Sequence, residues 1–144
     1  MMTGMSTMRA LSVEQYARLQ QLARAYQHRC AASIKRHPGR NPRLAVDLLC
    51  FQPLPDSHEL VGALITPISL SLAVVNATPT ALRDDMPRRW LALPGGEYPL
   101  DPLALGDSDG LWQCPLLDDL ADLESLHDAN RLAQHMIERV LGEP

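Results

Sequence analysis

The sequence is short of the residues that staple small secreted domains. Its three cysteines, Cys30, Cys50 and Cys114, are an odd number at wide spacing, with no CxxC pair. Disulfide frameworks use even counts, and thiolate metal sites need paired cysteines or Cys with suitably spaced His. His28 and Cys30 stand two apart on a predicted helix and point in divergent directions. Three free thiols packed as small hydrophobes in a reducing compartment are therefore expected, with no metal and no cofactor. The five histidines, His28, His37, His58, His127 and His135, show neither HxxxH nor HExxH spacing. His127 and His135 are eight apart on one predicted helix, about 12 Å by helical rise, too far for one ion. There is no GxSxG elbow. Gly95-Gly96 lacks the lysine and following helix of a phosphate loop. Asp107-Ser108-Asp109-Gly110 opens like a calcium loop but lacks the third ligand and the later Glu, so it reads as an Asx turn. Catalytic residues are not expected from this inventory.

Aromatics make up only 4% of the chain, so the core must be Leu, Val, Ile and Ala. Charge is equally unremarkable: the formal net charge is −4. The basic residues read as scattered along the sequence, without the concentrated footprint of a nucleic-acid surface. No apolar run reaches the roughly 20 residues needed to cross a bilayer, so membrane insertion is not expected. The first residues, MMTGMSTM, have neither the charged nor the apolar region of a signal peptide. Residues 1–10 read as a flexible tail before a single domain over 11–144, and the expected location is cytoplasmic.

What the chain does have is Leu60–Val75, LVGALITPISLSLAVV, uncharged throughout and cut at its centre by Thr66-Pro67. Proline removes a ladder hydrogen bond and belongs at strand ends or edges. The run therefore reads as two buried strands, Leu60–Thr66 and Ser69–Val75, joined by a tight connection. Ahead of it, Leu11 to about His37 reads as one long helix. Ser12 and Gln15 form a capping box, Leu11 and Tyr16 are spaced as a hydrophobic staple, and Tyr16, Leu19, Leu22, Ala23, Tyr26, Cys30 and Ile34 recur as one stripe. Leu44–Phe51 reads as a first strand and Gln52–Glu59 as a turn. Arg89–Leu93, Glu97–Leu103 and Leu111–Leu116 read as further strands, with Pro94-Gly95-Gly96 as a turn. A closing helix over Ser125–Leu141 carries Leu126, Ala129, Leu132, Ala133, Met136, Val140 and Leu141 on one stripe, with Gly142 as its stop. The fold class is thus α+β: a mostly antiparallel sheet of five or six strands packed with long N- and C-terminal helices.

Asp118, Asp119, Asp122 and Glu124 concentrate four carboxylates between the last strand and the last helix. Their structural role is to favour the helix amino terminus; their functional role would be an anionic rim for a basic peptide. Asp84-Asp85 is a smaller acidic pair beside Arg83 and Arg88-Arg89, a mixed surface.

Several segments, taken in order, resemble a known family. They are Asn41-Pro42, VGALITP at Val61–Pro67, LALPGGE at Leu91–Glu97, GLWQCPL at Gly110–Leu116, and the closing helix. Together they resemble the HybE/HupJ family of nickel–iron hydrogenase assembly chaperones, as a divergent member without the rubredoxin module of some relatives. Ile68 stands where family members carry an aromatic after the Thr-Pro. The resemblance implies a non-enzymatic chaperone for an immature hydrogenase subunit, small or large, including its twin-arginine signal peptide before export. A receiver for such a leader needs carboxylates for guanidinium groups and an apolar groove or strand edge for an extended segment. Asp118, Asp119, Asp122 and Glu124 are placed in the first role, and Thr66, Pro67, Ile68, Leu93 and Pro94 in the second. Two other readings stay open. An enzyme of unfamiliar type would gather Asp47, His58 and Cys114 into one pocket. A general interaction module would close an apolar surface in a homodimer.

Overall fold

The computed structural model describes residues 11–142, so the segment read as a tail lies outside the described residues. Eight elements follow one another: α1 (Val13–Arg36), β1 (Asp47–Pro53), β2 (Glu59–Ile65), β3 (Leu70–Asn76), β4 (Arg89–Leu93), β5 (Gly96–Ala104), β6 (Gly110–Leu117) and α2 (Leu126–Leu141). The strands form one sheet in the order β1-β2-β3-β6-β5-β4, and every neighbouring pair is antiparallel. This is the α+β single domain that the hydrophobic pattern implies.

The helices take opposite faces of that sheet. Successive strand side chains point to alternate faces. Val61, Ala63 and Ile65 of β2 pack in one cluster with Ala129, Ala133, Ile137 and Val140 of α2. Leu60 and Leu64 pack in the other with Leu19, Leu22, Ala23, Tyr26 and Ile34 of α1. A strand covered on both sides needs apolar residues at every position, which is why Leu60–Val75 shows no alternation. β2 and β3 are interior strands of this three-layer arrangement, buried along nearly their whole length.

α1 begins at Ser12 with the expected capping box: Gln15 N–H donates to Ser12 Oγ at 3.1 Å, and Ser12 N–H donates to Gln15 Oε1 at 2.9 Å. Tyr16 does not close the expected staple; it is 55% exposed, while Leu11 is buried. The buried stripe instead includes Arg18. Leu126, placed on the α2 stripe by its spacing, is likewise exposed, and Ile137 takes part in the core in its place.

β1 starts three residues later than the pattern suggests and runs on through Gln52 and Pro53. Leu44 is held back by a hydrogen bond from its N–H to the Asn41 carbonyl at 3.1 Å. Between Leu49 and Gln52 the register shifts. Cys50 there adopts φ 61°, so Cys50 and Phe51 together oppose Gly62, as in a bulge. Phe51 lies flat against Gly62, whose Cβ would fall 2.3 Å from the ring.

The far end of the sheet curls over the α2 face. Arg89 on β4 and Glu59 on β2 are separated by three intervening strands, about 19 Å across a flat sheet. Yet their side chains form a two-bond ion pair at 2.6 and 2.7 Å. Arg89 also lies 5.6 Å from the Trp112 ring centroid. This curl carries the β4–β5 turn onto the end of α2, where Gly95 N–H donates to the Val140 carbonyl at 2.8 Å. A Cβ on Gly95 would lie 2.5 Å from the Arg139 carbonyl oxygen and 2.7 Å from that of Val140. Backbone cannot step aside as a flexible side chain can, so Gly95→Ala is expected to cost about 1–3 kcal/mol by overpacking. Urea unfolding checks this, and a midpoint equal to that of the parent would contradict the contact.

Candidate functional site

The acidic segment is fixed to the rest of the molecule by buried Leu120 in the α2-side core and by one buried amide. Asn41 is 2% exposed. Its Nδ2 donates to the Leu120 carbonyl at 2.9 Å and to the Leu123 carbonyl at 2.8 Å. Its Oδ1 accepts from Arg43 N–H at 3.0 Å. Its own N–H donates to the Pro67 carbonyl at 2.7 Å. Asn41 therefore joins three segments remote in sequence: the loop after α1, the β2–β3 turn and residues 118–124.

On that support, Asp118, Asp119, Asp122 and Glu124 are all exposed. Asp119 Oδ1 accepts from Ala121 N–H at 3.0 Å, closing a local turn. None of the four belongs to an ion pair among the described residues, where Arg18, Arg29, Arg83, Arg88 and Arg89 pair with Asp109, Asp84, Asp85, Asp101 and Glu59. Ser125 caps α2 by accepting from Asp128 N–H at 3.1 Å, so the carboxylates precede the positive end of that helix.

The β2–β3 turn is differently constituted. Thr66 and Pro67 are buried, and Ile68 is half-buried against the α1-side core. Thr66 Oγ1 accepts from Ile68 N–H at 3.1 Å and from Ser69 N–H at 3.0 Å. The threonine closes the turn while the proline presents its carbonyl to Asn41. Both residues are committed to holding the rim in place, and Ile68 is the one with surface to offer.

Leu93 and Pro94 lie elsewhere. They line a groove of about 660 Å³ with Leu54, Pro55, Val61 and Leu141, at the carboxyl end of α2. The acidic segment lies at the amino end. The sixteen residues of α2 span about 24 Å. The structure thus brings the acidic segment to Thr66–Ile68 and separates both from Leu93-Pro94.

The residues weighed for an enzyme are not gathered. Asp47 pairs with Ile65 at one end of β2, and exposed His58 precedes Glu59 at the other. That is about 20 Å along the strand. Cys114 is buried on the α2 face of β6, and burial first, then the Asp101 charge, pushes its thiol up. An activated thiol needs the opposite shift. Among the described residues no group of three His, Cys, Asp or Glu is placed to hold a metal ion. No helix among them is long and apolar enough to cross a membrane.

The family model for HybE, described as "[NiFe]-hydrogenase assembly, chaperone", matches residues 17–144. The chain belongs to the HybE family. Its fold agrees: the solution structure of HybE from Escherichia coli superposes with a TM-score of 0.64 at 20% identity, covering 88% of this chain and 78% of that one. No curated protein sequence matches the chain. Placed in the HybE frame, the family-like segments explain themselves physically. Asn41 is the clamp, the Thr-Pro is its acceptor, and the Gly95 of LALPGGE is the seat for the end of α2. Arg18 and Asn41 were not assigned roles from the sequence. For Arg18 a signal existed, because it stands four before Leu22, on the buried stripe. For Asn41 the sequence marked the position only through the family resemblance and not its role, since its side-chain carbonyl partners lie about 80 residues away.

Proposed function

We propose that this HybE-family protein holds an immature [NiFe]-hydrogenase subunit during assembly and receives its cationic, twin-arginine leader on the acidic rim. The observation that carries the reading is the rim itself. Four exposed carboxylates without an ion pair among the described residues stand on a backbone that a buried amide fixes in place. Guanidinium groups meet carboxylates through short, charge-assisted hydrogen bonds. Fixing the acceptor segment beforehand lowers the ordering cost of binding.

The apolar part of an extended client has a second place, the groove at Leu93 and Pro94. The two subsites are set apart by the length of α2, about 24 Å. An extended segment covers roughly 3.3 Å per residue, so a leader using both needs about seven residues between its arginine pair and its apolar block.

The test is fluorescence anisotropy with a labelled leader peptide of a hydrogenase subunit from the same host. Asp118→Lys/Asp122→Lys/Glu124→Lys is expected to weaken binding by roughly ten- to a hundredfold, about one tenfold step per 1.4 kcal/mol lost. Unchanged affinity would exclude the rim. Co-purification of a hydrogenase subunit that still carries its leader tests the client class separately.

A further inference from the structure

The cations that read as scattered along the sequence gather on one side of Asn41. Between Gln15 and Val46 the chain has no Asp or Glu. Arg24, Lys35, Arg36 and Arg43 in this stretch are all exposed, and none is in an ion pair among the described residues. Arg40 turns back to donate to the Lys35 carbonyl at 2.8 Å, closing the end of α1. Asn41 bonds the Leu120 and Leu123 carbonyls, so at the end of α1 the basic residues around it, Lys35, Arg36 and Arg43, adjoin the acidic segment, and none of these charges pairs with another among the described residues. Further back along α1, with Arg24 about 18 Å by helical rise from Arg36, a groove of about 530 Å³ opens between the helix and the chain entering β1, lined by Ala23, Arg24, His28, Ala31, Ala45 and Val46. Its floor is apolar and its wall basic. The acidic segment has the reverse character: its carboxylates are followed at once by Leu126, a large apolar side chain 54% exposed.

We propose that this end is a two-fold self-association surface, on which the groove and cations of α1 and its following loop take the acidic segment and Leu126 of a second copy. A patch with one acidic and one basic half is self-complementary under a half-turn. Rotation lays the anionic half of each copy on the cationic half of the other, and the contact closes at two. The occupant follows from charge: the chain carries its own complement, at the same end and joined through the same amide. The association requires no client, so it stands or falls independently of the leader-binding reading. If both hold, a cationic leader and the second copy compete for the same carboxylates.

The test is sedimentation velocity on the full chain and on two charge-reversed variants. One is Asp118→Lys/Asp122→Lys/Glu124→Lys and the other Lys35→Glu/Arg36→Glu/Arg43→Glu. Asp119 and Arg40, which hold local backbone, are left intact, and circular dichroism verifies that each variant folds. The parent is expected to dimerise, with Kd rising roughly tenfold or more as screening shortens from about 10 Å at 0.1 M salt to about 3 Å at 1 M. Each variant alone is expected to be monomeric, because like charges then face each other. Their equimolar mixture is expected to recover the dimer, since the reversed residues of one variant again face reversed residues of opposite sign on the other. Leu126→Ser is expected to weaken the parent dimer severalfold. A parent that stays monomeric, or a mixture that does not associate, would overturn the proposal. Dimerisation unchanged by either variant would move the interface elsewhere and overturn it as well.

Discussion

Arg18→Ala is expected to destabilise the protein by about 3–5 kcal/mol, the cost of breaking one partner out of a buried ion pair. The Arg18 side chain is only 8% exposed and that of Asp109 20%. Its guanidinium makes four bonds: Nη1 and Nη2 donate to the two oxygens of Asp109 at 2.9 and 3.0 Å, Nε to the Asn76 carbonyl at 2.7 Å, and Nη2 also to the Thr78 carbonyl at 3.2 Å. Truncation takes this donor from two carbonyls and leaves the half-buried Asp109 carboxylate with only backbone donors, Gly110 and Thr80 N–H, and it frees α1 from the β3–β4 connection and the β5–β6 turn together. Urea unfolding measures the loss. Arg18→Met/Asp109→Leu should lose less than the single variant, because no stranded charge remains. Equal losses would mean that the arginine acts through packing alone.

The same pair ties stability to acid. Burial tends to raise the Asp109 carboxyl, but the bonds from Arg18, from Gly110 N–H and from Thr80 N–H, with the Arg18 charge, outweigh it and hold the group below its usual range. A carboxylate lowered on folding contributes stability that is fully present above its unfolded value, about 3.9. That contribution is lost as pH falls through the folded value. The parent should therefore lose stability more steeply below about pH 4 than Arg18→Met/Asp109→Leu does. Parallel pH profiles would show that the pair does not carry this dependence.

Asn41→Ala is the second substitution with a large expected effect, about 2–4 kcal/mol, from stranding buried groups at about 1–3 kcal/mol each. The Leu123 carbonyl loses its side-chain donor and Arg43 N–H its acceptor, the Leu120 carbonyl keeps only the 3.2 Å bond from Leu123 N–H, and the backbone bond to Pro67 is retained. Its consequence is local as well as global. Hydrogen exchange over Leu120–Leu126 should accelerate more than over β2 or β3, because the segment loses its tether while the central strands keep theirs. Leader affinity should fall with it, although no carboxylate has been touched. Uniform acceleration across the sheet would reduce Asn41 to a general contributor to stability and remove its role in presenting the rim.

Much of this architecture was legible in the sequence, for reasons local to each segment. The capping box at Ser12 and Gln15 fixes the start of α1 because its two bonds lie within four residues. β4, over Arg89–Leu93, coincides with the segment read from its alternation. The continuous apolar run at Leu60–Val75 announces strands buried on both faces. Where the reading strayed, a distant partner was responsible. Tyr16 and Leu126 fit their helical stripes by spacing, but both side chains are left exposed in the folded chain. β1 begins late because Asn41 holds Leu44.

Of the candidate site, the sequence supplied its residues and the tertiary structure their grouping. Four carboxylates in seven positions are visible in any listing of the chain. That Thr66 and Pro67 turn inward to hold them, and that Leu93 and Pro94 lie a helix length away, is decided by the curl of the sheet and the clamp at Asn41. The pattern of apolar residues determined the elements, the fold class and the sheet's two buried faces, because periodicity acts within a few residues. Only the folded chain decided which charges are paired, which are left facing solvent and which lie side by side. Those outcomes depend on contacts between residues tens of positions apart, whose partners no local pattern encodes.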